Sequence, residues 1–237
     1  MIRLISWGHV RAFILAAARG ERLRPLTLET PKPLLPVGGR PMIQWHIEAL
    51  VRAGVPDIVI NTAWLGERIE AELGDGAHLG ARIEYSREGE PLETLGGLRR
   101  ALPMLTKTGN EFLVINGDVW TDFDMAALAT TPLGEDLDAH LVLVPNPAHH
   151  SGGDFALANG RITRDQGESL TFAGISRLNR RLIDSAPDEE DRLGPILRTA
   201  CQQGRVSGLR HDGHWVDVGT PERLETARTL AGSGAAP

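Results

Sequence analysis

The chain has 237 residues, 41% of them apolar and 24% charged, and its formal net charge is −6. This length favours one large domain, and the acidic balance argues against nucleic acid as a partner, because a nucleic-acid binder needs a basic face. Nucleotides stay compatible with it, since backbone N–H groups and a few local cations can hold phosphates. Nothing in the sequence selects an oligomeric state.

The cysteine count and the hydropathy pattern indicate the compartment. Cys201 is the only cysteine, so no internal disulfide can form, and its apolar helical stretch is typical of a buried structural thiol. No stretch approaches the run of about 18 apolar residues that spans a bilayer, and residues 1–10 are too short and broken for a signal peptide. We therefore expect a cytoplasmic protein with no membrane partner, and poorly ordered ends at 1–10 and 231–237.

In the first half of the chain, short apolar runs typical of strands alternate with longer helical patterns. The strand patterns cover residues 12–17, 57–61, 82–85 and 112–116, and the helical patterns cover 39–53, 65–73 and 96–105. Strands separated by about one helix each indicate βαβ units, which build a mainly parallel sheet covered on both faces.

Beyond residue 138, strands follow one another at shorter intervals. Strand patterns cover residues 140–144, 154–158, 161–165, 170–178 and 205–210, and helical patterns cover 193–203 and 221–230. Asn159-Gly160 is a strong hairpin signal, and Thr220 before Pro221 is a typical helix start. We predict one α/β domain over 1–237: a Rossmann-like, mainly parallel sheet flanked by helices, with a smaller antiparallel substrate lobe within 139–215.

A loop rich in small residues and cations follows the first strand. Residues 15–27 read LAAARGERLRPLT, and residues 31–37 read PKPLLPV. Small residues let the backbone approach a triphosphate, whose oxygens successive N–H groups can hold, while Arg22, Arg24 and Lys32 supply positive charge. A structural surface loop is the alternative; a dinucleotide-binding loop is disfavoured, because G-x-G-x-x-G is absent.

These residues resemble the signature of the sugar-phosphate nucleotidyltransferase family, L-A-A-G-x-G-x-R-L-x-P-L-T followed by P-K-x-L-x-P-V. The similarity continues through Asn116-Gly117-Asp118 and residues 215–220, WVDVGT. It implies an enzyme that joins a nucleoside triphosphate to a sugar 1-phosphate and releases pyrophosphate. The implied catalytic residues are Arg22, which would hold the leaving phosphates, and Lys32, which would neutralise the α-phosphate or the attacking phosphate. Both would also bind the nucleotide, together with Leu15, Ala16, Ala17, Gly20, Glu21, Glu93, Thr94, Gly97 and Asn116.

Ala18 departs from this signature, because the family has a glycine there. If the loop requires positive φ, alanine costs about 1 kcal/mol, whereas at negative φ its methyl group is tolerable. The departure also leaves a non-enzymatic alternative, a regulatory protein that senses nucleotide sugars.

Asp118 follows a buried strand, at the end where open α/β sheets bind ligands. The resemblance implies that Asp118 and Asp217 hold Mg²⁺, the expected cofactor. Mg²⁺ suits this pair, because it usually takes one or two carboxylates together with phosphates and water. The alternative for Asp217 is to cap the helix near Thr220, and Asp122 or Asp124 is expected to cap the next helix.

Residues 90–98 read EPLETLGGL, where the family usually has P-L-G-T-A-G-A-L in the loop that holds the base. A plain junction between a loop and a helix is the structural alternative. The L-E-T-x-G-G form resembles the small subfamily of N-acetylmuramate 1-phosphate uridylyltransferases of cell-wall recycling, as do residues 61–66, 116–122 and 213–220. It implies UTP and N-acetylmuramate 1-phosphate as substrates, with mannose 1-phosphate guanylyltransferase as the alternative.

Residues 146–155 and 171–175 resemble the sugar-binding region of that subfamily. The residues implied as sugar contacts are Asp154, Thr171 and Gly174. Three candidate cations for the lactyl carboxylate of muramic acid are His149, His150 and Arg180, with exposed loop residues as the alternative. A metal site at the two histidines is disfavoured, because sequence spacing places no third ligand.

Overall fold

The structure, a computed structural model, describes residues 10–163 and 166–233. The strands are β1 (Arg11–Leu15), β2 (Pro36–Val37), β3 (Arg40–Pro41), β4 (Asp57–Thr62), β5 (Arg82–Arg87), β6 (Glu111–Asn116), β7 (Val119–Thr121), β8 (Ala139–Val144), β9 (Phe155–Ala158), β10 (Arg161–Thr163), β11 (Glu168–Asn179), β12 (Val206–Arg210) and β13 (Trp215–Asp217). The α-helices are α1 (Leu26–Glu29), α2 (Met42–Arg52), α3 (Gly66–Leu73), α4 (Thr94–Leu105), α5 (Ala126–Ala129), α6 (Arg180–Asp184), α7 (Leu193–Gln202) and α8 (Pro221–Gly232).

One mixed sheet organises the described residues, in the order β5-β4-β1-β6-β11-β8-β12-β10-β9. Strands β5, β4, β1 and β6 are parallel, and β11 runs antiparallel to both β6 and β8. Strands β9 and β10 form an antiparallel hairpin, and β9 also pairs with β11. The predicted α/β class with a smaller antiparallel part is confirmed, and the antiparallel strands extend the same sheet.

Several element boundaries differ from the prediction. The helix expected over 39–53 begins at Met42, because Arg40–Pro41 form β3, and the helix expected over 96–105 begins at Thr94. Strand β1 ends at Leu15, because the N–H of Ala16 donates to Oδ1 of Asn61 at 2.6 Å instead of continuing the strand ladder. Helix α8 begins as predicted, with the Thr220 side chain accepting from the N–H of Arg223, but it continues to Gly232, into the segment expected to be a frayed tail. Residues 1–9 and 234–237 of the predicted ends, and 164–165 of a predicted strand, lie outside the described residues.

The predicted hairpin forms through a turn with positive φ at both central residues. Asn159 has φ 50° and Gly160 has φ 75°, the combination that a two-residue type I′ turn requires. The turn joins β9 to β10 at the far edge of the sheet.

The sheet is buried on both faces, as a parallel α/β sheet requires. Alternate side chains of β1 enter different cores: Ala12 and Ile14 pack on one face, and Phe13 packs on the other. A third core surrounds Trp120, whose ring lies edge-on to Trp45 at 6.1 Å, and it packs α2 and α8 against the β7–β13 ribbon. Among the described helices, none combines the length and the apolar character needed to cross a membrane.

Candidate active site

The loop after β1 turns at Gly20, which has φ +66°. A Cβ there would lie 2.9 Å from Cγ2 of Thr27 and 3.2 Å from Cβ of Lys32, so glycine is required. The hydroxyl of Thr27 donates to the carbonyl oxygen of Gly20 at 2.8 Å and fixes the turn. Ala18 is not among the described non-glycine residues with positive φ, so its methyl group causes no left-handed backbone strain.

Lys32 and Asp118 form an ion pair where the parallel strands end. Nζ of Lys32 lies 2.7 Å from Oδ2 of Asp118, and the lysine side chain is only 6% exposed. Asp118 reaches this edge because the N–H of Gly117 donates to the carbonyl oxygen of Leu15 at 2.9 Å. A Cβ on Gly117 would lie 2.5 Å from that oxygen, so only glycine permits this approach of β6 to β1.

Asp217 is brought to Asp118 by pairing of two short strands. In the antiparallel ribbon of β7 and β13, Asp217 lies opposite Val119, and the N–H of Val218 donates to the carbonyl oxygen of Asp118 at 2.8 Å. Both carboxylates line the same cleft. The alternative role of Asp217 as a helix cap is wrong, because Thr220 caps α8.

The two oxygens of Asp217 have different surroundings. Oδ2 accepts a hydrogen bond from Nη1 of Arg223 at 2.7 Å, whereas Oδ1 is buried and accepts none from the described residues. Nε2 of His149 lies 3.2 Å from Oδ1, yet it accepts from Nη1 of Arg223 at 2.6 Å and so has no proton for the carboxylate. A buried carboxylate oxygen without a donor is a site for a cation.

These residues fit a magnesium ion. Among the described residues there is no cluster of three or more His, Cys, Asp or Glu side chains that could hold a metal, whereas Asp118 and Asp217 are two carboxylates that line one cleft. Mg²⁺ commonly binds through one or two carboxylates and completes its shell with substrate phosphates and water. The unpartnered Oδ1 of Asp217 supplies one ligand position of that kind.

Arg22 lies beside the same carboxylates. A Cβ on Gly219 would lie 2.3 Å from Nη2 of Arg223 and 2.9 Å from Nη2 of Arg22, so both guanidinium groups pack against this glycine. Arg223 is paired with Asp217, while Arg22 has neither a hydrogen bond nor an ion pair with any other described residue. Its positive charge is therefore available to an anion in the cleft.

Three adjoining clefts open around Asn116, which lines all of them. The first cleft, of about 310 Å³, is lined by residues that include Leu15, Ala16, Ala17, Lys32, Glu93 and Thr94. The second cleft, of about 350 Å³, is lined by residues that include Arg22, His149, His150, Thr171, Gly174, Asp217 and Arg223. The third cleft, of about 390 Å³, is lined by residues that include Glu93, Thr94, Asp154, Arg192 and Arg198. Asp118 lies at the boundary of the first two clefts.

Gly174 and Asp154 shape the second and third clefts. Gly174 has φ +74°, and a Cβ there would lie 2.6 Å from Nδ2 of Asn116, so glycine lets this amide lie against β11. Oδ2 of Asp154 accepts from the N–H of Phe172 at 2.9 Å, and Oδ1 pairs with Nε2 of His150 at 3.1 Å. Asp154 is therefore held in place by the protein at the rim of the third cleft.

Thr171 lies on β11, where it pairs with Val144 of β8. Its side chain is buried and its hydroxyl donates to Oδ1 of Asn146 at 2.9 Å. It lines the second cleft with its strand neighbours.

Several predicted residues do not line these clefts. Glu21 is exposed and pairs with Arg24 at 3.4 Å, and Gly97 is buried within α4. Arg180 lies at the opposite end of β6, where its N–H donates to the carbonyl oxygen of Asn110, because β11 runs antiparallel to β6 and ends there. That end is about 20 Å from Asn116 for a strand of this length.

The expected helix cap after β7 is Asp124, whose Oδ1 accepts from the N–H of Ala126 at 2.9 Å. Asp122 instead accepts from His211 and from the N–H of His214, and so ties β7 to the loop before β13. Cys201 is half-buried, and burial raises the pKa of its thiol to about 11, so it stays protonated at neutral pH.

Sequence reasoning did not assign a role to Asn61, Glu88 or Arg223. Asn61 lies in the first cleft and Arg223 in the second. A signal for Asn61 was present, because Asn61 and Asn116 occupy equivalent positions near the ends of two buried strands and both pair with Leu15 in register. Glu88 follows β5, and no pattern in the neighbouring sequence indicates that it has a role.

Near the carboxyl ends of the parallel strands, two aspartates, a buried lysine and an unpaired arginine form a set of charges suited to binding phosphates. Residues 11–151 match the Nucleotidyl transferase family. The chain is 48% identical over 231 residues to N-acetylmuramate alpha-1-phosphate uridylyltransferase of Neisseria meningitidis serogroup B, covering 94% of this chain and 99% of that protein. It is 31% identical to mannose-1-phosphate guanyltransferase beta-B of Xenopus laevis, covering 93% of this chain and 64% of that protein.

Among solved structures, the fold is similar to that of a candidate glucose-1-phosphate thymidylyltransferase from Bacillus anthracis. The TM-score is 0.84 at 23% identity, covering 94% of this chain and 95% of that one. The chain therefore belongs to the nucleotidyl transferase family, and the predicted enzyme class, a sugar 1-phosphate nucleotidyltransferase, is confirmed.

Proposed function

We propose that this protein transfers a uridylyl group from UTP to N-acetylmuramate 1-phosphate, giving UDP-N-acetylmuramate and pyrophosphate. The observation that carries the proposal is the convergence of Lys32, Asp118 and Asp217 where the first and second clefts meet. The particular substrates are supported by the 48% identity to the Neisseria enzyme over nearly the whole chain. The reaction would serve peptidoglycan recycling in the cytoplasm.

The proposed mechanism is a single in-line displacement at the α-phosphorus of UTP. A phosphate oxygen of the sugar phosphate forms the new bond, and the bond from the α-phosphorus to pyrophosphate breaks. The nucleophile is already an anion at neutral pH, so positioning and charge stabilisation replace a general base. Lys32, paired with Asp118 at the boundary between the clefts, neutralises the phosphate at which the bond forms, and Arg22 holds the departing pyrophosphate.

Asp118 and Asp217 would hold Mg²⁺, which supplies positive charge to both phosphate groups when bound. The first cleft holds the uridine and the α-phosphate, with Ala16 and Ala17 beside the phosphate and Thr94 beside the base. The β- and γ-phosphates extend past Asp118 to Arg22 in the second cleft. The sugar occupies the second and third clefts, where the proposed contacts are Asp154, Thr171 and Gly174.

Mannose 1-phosphate guanylyltransferase is the second candidate, favoured by the 31% identity to the Xenopus protein. A regulatory sensor of nucleotide sugars is the non-enzymatic alternative. It does not explain why Arg22 and both aspartates line one cleft while Lys32 is paired with Asp118 at its edge.

The test is pyrophosphate release by the purified full chain with Mg²⁺, for UTP, GTP, CTP, ATP and dTTP. Each nucleotide is offered with N-acetylmuramate 1-phosphate and, separately, with mannose 1-phosphate. We expect rapid release only from UTP with N-acetylmuramate 1-phosphate. Release from GTP with mannose 1-phosphate would establish the second candidate, and folded protein that is silent with every pair would make the sensor the leading hypothesis.

A further inference from the structure

A hydrogen-bonded chain of side chains crosses the floor of the first cleft. Asn61 is 2% exposed, and its Oδ1 accepts from the N–H of Ala16 at 2.6 Å. Its Nδ2 donates to Oε1 of Glu88 at 2.8 Å. The other carboxylate oxygen of Glu88 accepts from the N–H of Leu92 at 2.9 Å. These hydrogen bonds join the loop after β1 to the loop between β5 and α4.

The partners fix the orientation of the Asn61 amide. An asparagine amide has an acceptor oxygen and a donor nitrogen, and here a backbone N–H faces the oxygen while a carboxylate faces the nitrogen. Gly97 makes room for the pair, because a Cβ there would lie 2.7 Å from Oε1 of Glu88 and 3.2 Å from Nδ2 of Asn61. The glycine predicted to touch the nucleotide therefore accommodates this link.

Both joined loops line the first cleft. Ala16 and Ala17 come from one loop, and Leu92, Glu93 and Thr94 come from the other. A nucleotide that contacts one loop with its phosphates and the other with its base needs a particular spacing between the loops, so this spacing determines how well it binds. A partly buried, charge-assisted link between them fixes that spacing within the protein itself.

We propose that Asn61 is a positioning residue that, through Glu88, holds the phosphate-binding and base-binding loops at the spacing UTP requires. This inference rests on the proposed function, because it assigns the first cleft to the nucleotide. The link joins two segments of the protein and touches neither of the reacting phosphates, so it contributes equally to ground-state and transition-state binding. Its loss therefore raises KM for UTP and leaves kcat nearly unchanged.

The experiment exchanges the donor and the acceptor in the hydrogen bond between residues 61 and 88. In Asn61→Asp, the new carboxylate still accepts from the N–H of Ala16 but faces the carboxylate of Glu88, so the link is replaced by repulsion. Adding Glu88→Gln restores every hydrogen bond, because the glutamine nitrogen donates to the aspartate and its oxygen accepts from the N–H of Leu92. The net charge of the double variant equals that of the wild-type protein.

We expect KM for UTP to rise roughly ten- to a hundredfold in Asn61→Asp, the factor that corresponds to one hydrogen bond to a charged group. The KM of the double variant should recover to within about threefold of the wild-type KM. Calorimetric titration with UTP alone should rank the dissociation constants of the three proteins in the same order as their KM values. Unchanged KM in Asn61→Asp, or a double variant no better than the single, would overturn the inference.

Two further variants serve as a control for substitution at this place in the sheet and as a second test of the Asn61–Glu88 link. Ser86, opposite Asn61 on β5, is buried and its hydroxyl has no hydrogen-bond partner among the described residues, so Ser86→Ala is the matched control and should retain the wild-type KM. If Asn61→Asp does not fold, Glu88→Gln tests the same link, because the amide nitrogen of the new glutamine then faces another N–H donor. The double variant should restore the wild-type KM. A wild-type protein without turnover refutes the proposed function, whereas an active wild type with an equally active Asn61→Asp refutes only the link.

Discussion

Nζ of Lys32 lies 2.7 Å from Oδ2 of Asp118, and the two side chains differ sharply in exposure, 6% for the lysine and 40% for the aspartate. The lysine is packed beneath the cleft, while the carboxylate opens toward it. A ligand can therefore reach Asp118 without displacing Lys32. The buried ammonium group stays close to any phosphate that approaches the aspartate.

We predict that Lys32→Ala lowers kcat by roughly 10²- to 10³-fold, the usual cost of removing one donor that stabilises transition-state charge. The fold should persist, because the partner carboxylate is partly solvated. Pyrophosphate release measures the rate, and thermal melting measures the fold. Arg24→Ala is the matched control, since Arg24, expected to supply charge to the phosphates, lines none of the three clefts and is exposed beside Glu21. Near-normal turnover in Lys32→Ala would remove the lysine from the mechanism.

The second prediction concerns the unpartnered Oδ1 of Asp217. In Asp217→Asn, we expect the Mg²⁺ concentration for half-maximal rate to rise at least about tenfold, because a neutral amide is a weaker ligand than a carboxylate. Chelation of Mg²⁺ should abolish turnover of the wild-type protein. Rate against Mg²⁺ concentration is the measurement, with the exposed Asp212→Asn as control. An identical Mg²⁺ dependence in Asp217→Asn and wild type would assign the metal to other groups.

The third prediction separates two positions of the phosphate loop. Gly20→Ala should lower the free energy of unfolding by about 1–2 kcal/mol and raise KM for UTP, because its φ is +66° and the methyl group would press on Thr27 and Lys32. Ala18→Gly, which restores the residue usual in the family, should change KM by less than about twofold and lower stability by about 0.4–1 kcal/mol. Denaturant unfolding and steady-state kinetics test both. A large gain of activity in Ala18→Gly would mean that the alanine impairs phosphate binding.

The fourth prediction is a pH dependence of stability. Burial lowers the pKa of His46 to about 4, although its hydrogen bond with the carbonyl oxygen of Val119 opposes the shift. Between pH 6.5 and pH 4 the unfolded chain binds a proton that the folded protein excludes, so stability falls as the pH falls through this range. From pH 7 to pH 5 the loss due to His46 is about 2 kcal/mol.

Urea unfolding at the two pH values gives the measurement. His140 contributes in the same direction, because burial lowers its pKa as well, so the difference between wild type and His46→Gln isolates His46. The glutamine can still donate to Val119, and its pH slope should be shallower. Equal slopes for the two proteins would mean that His46 is not excluded from protonation in the folded state.

Local patterns in the sequence predicted most of the elements and the chemistry of single residues. The alternation of apolar runs with helical patterns predicted the α/β class, and Asn159-Gly160 predicted a hairpin that the structure confirms. The loop around Arg22 and Lys32 was singled out because phosphates require cations, and Asp118 because it follows the end of a buried strand. The family resemblance implied that Asp118 is a Mg²⁺ ligand. Such signals lie within a few residues of one another and need no knowledge of strand pairing.

The meeting of distant side chains depended on tertiary structure. Asp217 reaches Asp118 only because β13 pairs with β7 in a register that places it opposite Val119. Arg180, chosen as a cation for the sugar, lies at the other end of the sheet because β11 runs antiparallel to β6. Asn61 contacts Glu88 only because α4 carries a glycine beneath both. Sequence periodicity determines which face of an element is buried, whereas strand order, direction and register determine which side chains share a cleft.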